Sequence, residues 1–219
     1  ILQLTRANTY AGQTLIREGT ILLTGAGKLG AGAVTLGGLG DATLAYNVTG
    51  DNTTANAIGG TGTITQKGAG IVTLSGANTY AGTTHVEAGT LKAGSATAFG
   101  TSSVLLSSGA TLDIGNYALG NAVAVKAGAS GALSTASVTS DGGTLGSLTL
   151  GSYSRLNVTG SMALASGAEL TFDMTGVTAG DNALVTLTGG LTVNGTHKLT
   201  LSNYETLTDS GSYSLLGQE

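Results

Sequence analysis

One stretch of this sequence is present twice. Residues 1–21, ILQLTRANTYAGQTLIREGTI, align with residues 71–91, IVTLSGANTYAGTTHVEAGTL, at eleven identical positions. A catalytic motif rarely needs two copies in one chain, whereas a structural module often does. The duplication therefore favours a repeat architecture over a single compact fold.

A shorter repeat period of roughly twenty residues is present in both copies and continues beyond them. Glycine followed closely by Leu or Ile recurs near Gly19, Gly40, Gly89 and Gly109. Between the glycines, apolar residues alternate with polar or small ones, which is the pattern of strands with one buried face. The pairs predicted to point inward are Leu44 and Tyr46, Leu112 and Ile114, Leu156 and Val158, Leu170 and Phe172, Leu191 and Val193, and Leu199 and Leu201.

The sequence therefore predicts an all-β solenoid of the β-helix type, with about ten coils of roughly twenty residues each. A propeller blade needs about forty residues and usually carries aromatic signatures, and aromatic residues are only 4% here. Ten coils at about 4.8 Å each would make a rod near 50 Å long.

Equivalent residues of the two copies are expected to share inward columns of this solenoid. Asn and Gly are predicted at corners, because both tolerate left-handed backbone, and the tyrosines are predicted to cover a corner or the edge of the core. The column pairs are Ile1/Ile71, Leu4/Leu74, Ile16/Val86 and Ile21/Leu91, the corner pairs are Asn8/Asn78 and Gly12/Gly82, and the tyrosine pair is Tyr10/Tyr80.

Composition supports strands and excludes several functions. The chain has 38 Gly, no Pro and no Cys, with a net charge of −4. A chain in continuous ladders has few places for Pro, and without Cys there are no disulfides or thiolate chemistry. Eight basic residues in 219 argue against a nucleic-acid partner. No apolar run is long enough for a membrane helix, and Ile1 falls inside a repeat, so a fragment of a longer protein is expected.

No catalytic, cofactor-binding or metal-binding residue is predicted, and no cofactor is expected. His85 aligns with Leu15, so that position does not require an imidazole, and His197 is far away in sequence. Zinc-binding spacings and a Gly-x-Ser-x-Gly elbow are absent. Thr-x-Thr pairs (Thr61/Thr63, Thr186/Thr188, Thr206/Thr208) do not recur coil after coil, which disfavours an ice-binding face.

A carbohydrate-binding or carbohydrate-cleaving β-helix is the alternative. Cleavage of a glycosidic bond would need a pair of acidic side chains close together. The acids are scattered singly, among them Asp41, Asp51, Asp113, Asp141, Asp173 and Asp181.

Residues 60–94, GTGTITQKGAGIVTLSGANTYAGTTHVEAGTLKAG, closely resemble the passenger-associated β-strand repeat of autotransporters, the type V secreted proteins of Gram-negative bacteria. Residues 167–203 resemble the closing coils that follow such repeats. The resemblance implies a right-handed parallel β-helix passenger, carried through the periplasm and outer membrane by a C-terminal β-barrel translocator of the same polypeptide and displayed at the cell surface.

On this resemblance we expect a non-catalytic adhesin or spacer with exposed ladders of Thr, Ser and Asn, which either self-associate or contact a host or carbohydrate surface. Residues 1–166 are expected to form the repeat region, with copies near 1–25 and 60–94. Residues 167–219 are expected to be closing coils of the same β-helix, and both a folding nucleus and an end cap remain open as their role.

Overall fold

The computed structural model describes residues 1–127, 134–175, 177, 184–193 and 195–203, and the backbone of 216–218. Every regular element in these ranges is a β-strand, and no helix there has the length and apolarity to cross a bilayer. The chain divides into two compact units, Ile1–Val104 (unit 1) and Leu105–Glu219 (unit 2). The proposed division at residues 166 and 167 stays a prediction.

The strands of unit 1 are short and are separated by turns. They are β1 (Leu2–Leu4), β2 (Thr14–Ile16), β3 (Gly19–Thr24), β4 (Val34–Leu36), β5 (Ala42–Asn47), β6 (Asn52–Thr54), β7 (Ile58–Gly60), β8 (Thr63–Gln66), β9 (Ile71–Leu74), β10 (Thr84–Val86) and β11 (Thr90–Ala93), and β12 (Val104–Leu106) contains the boundary between the units.

Unit 2 has strands of similar length. They are β13 (Thr111–Gly115), β14 (Ala122–Val125), β15 (Ser134–Ser140), β16 (Gly143–Leu145), β17 (Ser147–Leu150), β18 (Ser154–Thr159), β19 (Met162–Leu164), β20 (Glu169–Asp173), β21 (Val185–Leu187), β22 (Leu191–Val193), β23 (Lys198–Ser202) and β24 (Leu216–Gln218).

Within each unit the strands pair in parallel across successive coils. In unit 1, sheet I contains β1, β3, β5, β8 and β10, sheet II contains β6, β9 and β11, and sheet III contains β2, β4 and β7. In unit 2, sheet IV contains β14, β17, β20 and β23, sheet V contains β13, β15, β18, β21 and β24, and sheet VI contains β16, β19 and β22. The chain visits the sheets in rotation, so the fold is the predicted parallel β-solenoid.

The number of turns is about eight, slightly below the ten expected, because the coils are not all of one length. Thr43 and Thr63, which hydrogen-bond between neighbouring coils of unit 1, are 20 residues apart. The corresponding bonds of Thr186 to Asn157 and of Lys198 to Glu169 in unit 2 span 29 residues. Longer coils use more residues per turn, so the same chain makes fewer turns.

Alternating burial is confirmed for four of the six predicted pairs, in β5, β13, β18 and β20, where both apolar residues are buried. It is wrong for β22 and β23, where Val193, Leu199 and Leu201 are exposed. Leu199 and Leu201 continue the columns of Leu170 and Phe172, but β23 is the last strand of sheet IV. Among the described strands none of that sheet lies beyond β23, and both side chains are exposed.

The predicted column pairs are partly buried but do not share columns. Ile1 and Ile71 point outward and are exposed, since β9 buries Val72 and Leu74 instead. Ile16 and Val86 are both buried, but they lie in sheets III and I, respectively. Likewise β1 and β3 belong to sheet I, whereas their counterparts β9 and β11 belong to sheet II. The second copy of the motif is therefore displaced by one face of the solenoid.

The corner residues act through stacking and not through left-handed backbone. Neither Asn8 nor Asn78 has a positive φ, and the same holds for Gly12 and Gly82. A Cβ at Gly82 would overlap the carbonyl oxygen of Gly62. Glycine is needed there because two coils approach closely.

Candidate functional site

The histidines lie apart from any catalytic arrangement among the described residues. His85 is half-buried at the middle of β10 and pairs in register with Thr65, and its counterpart Leu15 occupies the middle of β2. The two ring nitrogens of His197 are buried and have no hydrogen-bond partner in the part of the chain that the structure describes. Among the residues that the structure describes, no Ser–His–Asp chain of hydrogen bonds connects either ring.

The carboxylates serve local structure. Asp113 accepts a hydrogen bond from the N–H of Gly115 at 3.0 Å, and Asp173 accepts one from Thr175 at 3.0 Å. Asp113 therefore bonds the backbone at the irregularity within β13, and Asp173 bonds the backbone directly after β20. Over the described ranges, no group of three or more His, Cys, Asp or Glu side chains could hold a metal ion. Asp181 lies outside the described residues.

Among the described residues, Asp173 has the carboxyl group whose pKa is shifted most. Burial opposes its ionisation, but hydrogen bonds from Asn203, from the backbone and side chain of Thr175, and from Ser152 outweigh that effect and lower its pKa to about 2. The Oδ2 to Ser152 Oγ distance is 2.9 Å, and the Oδ1 to Asn203 Nδ2 distance is 3.0 Å. A carboxylate held ionised in this way ties three segments of unit 2 together and is a poor general acid.

Sheet V carries a continuous outward array of polar side chains, which we call the polar face. Its strands bury alternate apolar residues and turn the others to the surface. The polar face consists of Thr111, Asp113, Thr135, Ser137, Thr139, Arg155, Asn157, Thr159 and Thr186. Only two of the nine are charged.

These side chains form ladders in register. Ser137 pairs with Thr111 on one side and with Asn157 on the other, and Asn157 pairs with Thr186. The hydroxyl of Thr186 donates to Asn157 Oδ1 at 2.8 Å. A parallel row joins Asp113, Thr139 and Thr159. Hydroxyl and amide groups therefore repeat about every 4.8 Å across the strands.

In the first row Ser137 and Asn157 stand between Thr111 and Thr186, whereas in the second row Thr139 and Thr159 are direct neighbours. The expectation that the Thr-x-Thr pairs form no ice-binding face stays a prediction, and Thr206/Thr208 lies outside the described residues. The outward side of sheet IV differs by carrying the Glu169–Lys198 ion pair at 2.9 Å. Its Lys198 is the main reason that the pKa of Glu169 is lowered.

The described geometry thus defines a class of protein: a parallel β-solenoid with an apolar interior and a weakly charged polar face. Residues 1–23 and 64–93 match the model of the passenger-associated-transport-repeat family. A relative, the adhesin BmaC autotransporter of Brucella suis biovar 1 (strain 1330), is 47% identical over 60 residues, which are 26% of this chain and 2% of that protein. No solved structure matches.

The two matched segments coincide with the two copies of the repeated motif, and they carry the resemblance. Both segments therefore carry passenger-associated repeats, and the chain is similar in this part to an autotransporter adhesin. It spans only 2% of the length of the curated relative that it matches.

Proposed function

We propose that this segment is a non-catalytic, adhesin-like part of a surface passenger and that the polar face of unit 2 is its contact surface. The single observation that carries the proposal is the unbroken polar array on sheet V, with two charged side chains among nine. The similarity to a protein named as an adhesin supports it. The scattered carboxylates offer no support for the carbohydrate-cleaving alternative.

A second copy of the same face is the proposed partner. Hydroxyl and amide groups both donate and accept hydrogen bonds, so two such faces can pair without a complementary sequence. Low charge limits the electrostatic repulsion between identical faces. Each pairing is weak, but many copies on two cells act together, which strengthens the contact through multivalency.

A C-terminal β-barrel translocator of the same polypeptide is the proposed partner for export. The repeat family and the autotransporter relative both support it. It concerns the whole protein, whereas the polar face concerns this segment alone.

Clumping of cells that display the segment tests the adhesive role. The variant Ser137→Asp/Thr186→Asp places two carboxylates on the polar face, on either side of Asn157. We expect clumping to fall at least about tenfold, because facing carboxylates repel. Cells with Ser137→Lys/Thr186→Lys should also disperse alone, and they should clump when mixed with the Asp variant.

The matched control is Thr144→Asp/Thr192→Asp, which places two carboxylates on either side of Ala163 on sheet VI. These cells should clump like the wild type. If wild-type cells stay dispersed, the segment is a spacer and the adhesive proposal fails. If both double Asp variants disperse alike, net charge and not the polar face controls clumping.

A further inference from the structure

The two charged side chains of the polar face lie symmetrically about its centre. Ser137 is the middle outward residue of β15, between Thr135 and Thr139. Asp113 pairs in register with Thr139, and Arg155 pairs in register with Thr135. Since β13 and β18 flank β15, Asp113 lies one strand to one side of Ser137 and two residues along it. Arg155 lies one strand to the other side and two residues back.

These offsets are equal and opposite. Two residues along a strand span about 6.6 Å, and neighbouring strands are about 4.8 Å apart. Asp113 and Arg155 therefore each stand about 8 Å from Ser137, on a diagonal that passes through it. Every other member of the polar face carries an uncharged hydroxyl or amide group.

A face with one charge of each sign on either side of its centre can pair with a second copy of itself. In an isologous contact a two-fold axis relates the copies, so a contact between Asp113 and Arg155 is made twice. When two faces oppose each other, this axis lies between them in the plane of the contact. If the axis passes over Ser137 at right angles to the diagonal, each carboxylate stands opposite the guanidinium of the other copy.

Other two-fold axes over Ser137 do not pair the charges. An axis along the diagonal would face Asp113 with Asp113 and Arg155 with Arg155, which is repulsive. An axis along the strands, or at right angles to them, would place both charges opposite uncharged residues, so each would lose water without gaining a counter-charge. Charge complementarity therefore selects one orientation, in which the strands of the two copies cross at about 70°.

Both charged groups keep capacity for a bond between copies. Asp113 and Arg155 are half-buried, and Asp113 accepts the N–H of Gly115. A carboxylate has about four acceptor sites and a guanidinium has several N–H donors, so bonds within the chain leave others for a second copy. The two planar groups also suit a bidentate contact, which adds a defined geometry to the attraction.

We propose that two copies of the polar face pair about a two-fold axis through Ser137, with Asp113 of each copy against Arg155 of the other. This pairing rests on the adhesive role proposed above and gives that contact its orientation. The hydroxyl and amide groups form most of the contact, and the two charge pairs fix its register. A polar surface without the same diagonal of charges is a poorer partner, so displayed copies select one another.

Exchange of the two charges tests this arrangement on cells that display the chain in equal amounts. Asp113→Arg cells should clump at least about tenfold less than wild-type cells, because two Arg–Arg contacts replace the two pairs, and Arg155→Asp cells should disperse likewise. A mixture of the two variants should clump nearly as wild-type cells do, since one chain then carries arginine at both positions and the other carries aspartate at both. The double variant Asp113→Arg/Arg155→Asp should clump alone.

Asp41→Arg and Lys28→Asp are the matched controls. They make the same changes in charge at exposed positions of unit 1, outside the polar face, and both should clump like the wild type. The mixture and the double variant also report on folding, because each contains the substitutions that disperse the single variants. Recovery of clumping there shows that the substituted chains are folded.

Clumping of either single variant at the wild-type level would overturn the paired arrangement and leave the adhesive role standing. The same conclusion follows if the single variants disperse but neither the mixture nor the double variant recovers. If the control variants disperse as much as the single variants, net charge controls clumping and the pairing is wrong. Wild-type cells that stay dispersed would overturn both the pairing and the adhesive role.

Discussion

The two copies of the motif in unit 1 share eleven residues but differ in what those residues contribute. Tyr80 is fully buried, and its hydroxyl group is hydrogen-bonded to that of Thr84. Tyr10 makes the equivalent bond to Thr14 at 2.6 Å but is 39% exposed. Burial accordingly raises the pKa of Tyr80 well above its usual value.

The comparison teaches that the motif sets local geometry, whereas the neighbouring coils set its energetic weight. Asn78 bonds to a coil on each side, whereas among the described residues Asn8 bonds only to the coil that follows it. Identical sequence therefore does not mean equal contribution to stability. Substitutions made at equivalent positions of the two copies measure this difference directly.

Gly82→Ala and Gly12→Ala should show the largest difference in the free energy of unfolding. The Cβ at position 82 would overlap the carbonyl of Gly62, and we expect a loss of at least about 3 kcal/mol in the free energy of unfolding. Gly12→Ala should change it by less than about 0.5 kcal/mol. Urea unfolding followed by circular dichroism measures both, and equal losses would contradict the close approach of the coils.

Asn78→Ala and Asn8→Ala should show the second-largest difference in the free energy of unfolding. Removal of the buried amide leaves the N–H of Ile58 and the carbonyl of Ala98 without their partner, which should cost about 2 to 3 kcal/mol. At the half-buried Asn8, water can replace the lost bond, so the cost should stay below about 1 kcal/mol. Faster amide exchange at Ile58 should accompany Asn78→Ala, and unchanged exchange there would argue against the bridge.

Tyr80→Phe and Tyr10→Phe should show the smallest difference in the free energy of unfolding. The ring and its packing remain, but the buried hydroxyl of Thr84 loses its bond to Tyr80, at a cost of about 1 kcal/mol. Tyr10→Phe should be close to neutral because that hydroxyl is near water. Matching thermal unfolding curves for the two variants would show that the hydrogen bond adds no stability in either copy.

Period-two alternation predicted the strands and most of the core because it reflects the pleat directly. In residues 71–74, IVTL, the apolar residues Ile71 and Val72 are adjacent, so the alternation does not show which of them points inward. The prediction that Ile71 points inward is wrong, because β9 buries Val72. Leu199 lies on the last described strand of sheet IV, and the local pattern does not encode the place of a strand in its sheet. The shared columns are expected from the matching residues of the two copies, but matching residues do not encode which face of the solenoid a segment occupies.

The polar face could be expected only in general terms, as ladders of Thr, Ser and Asn. Its members Ser137, Asn157 and Thr186 are separated by unequal numbers of residues, so no fixed period connects them. Register in a solenoid depends on the length of every intervening turn. The three-dimensional pairing was needed to identify which polar residues stand side by side.

The displacement of the second copy by one face limits what duplication of this motif can achieve. Leu15 in β2 and His85 in β10 occupy the same motif position but stand on different sheets, III and I. A ligand-binding side chain at that motif position would therefore lie on two different faces of the solenoid, one for each copy. Copying the motif therefore lengthens the stack without enlarging any one contact surface, and selection for binding has to act on each face separately.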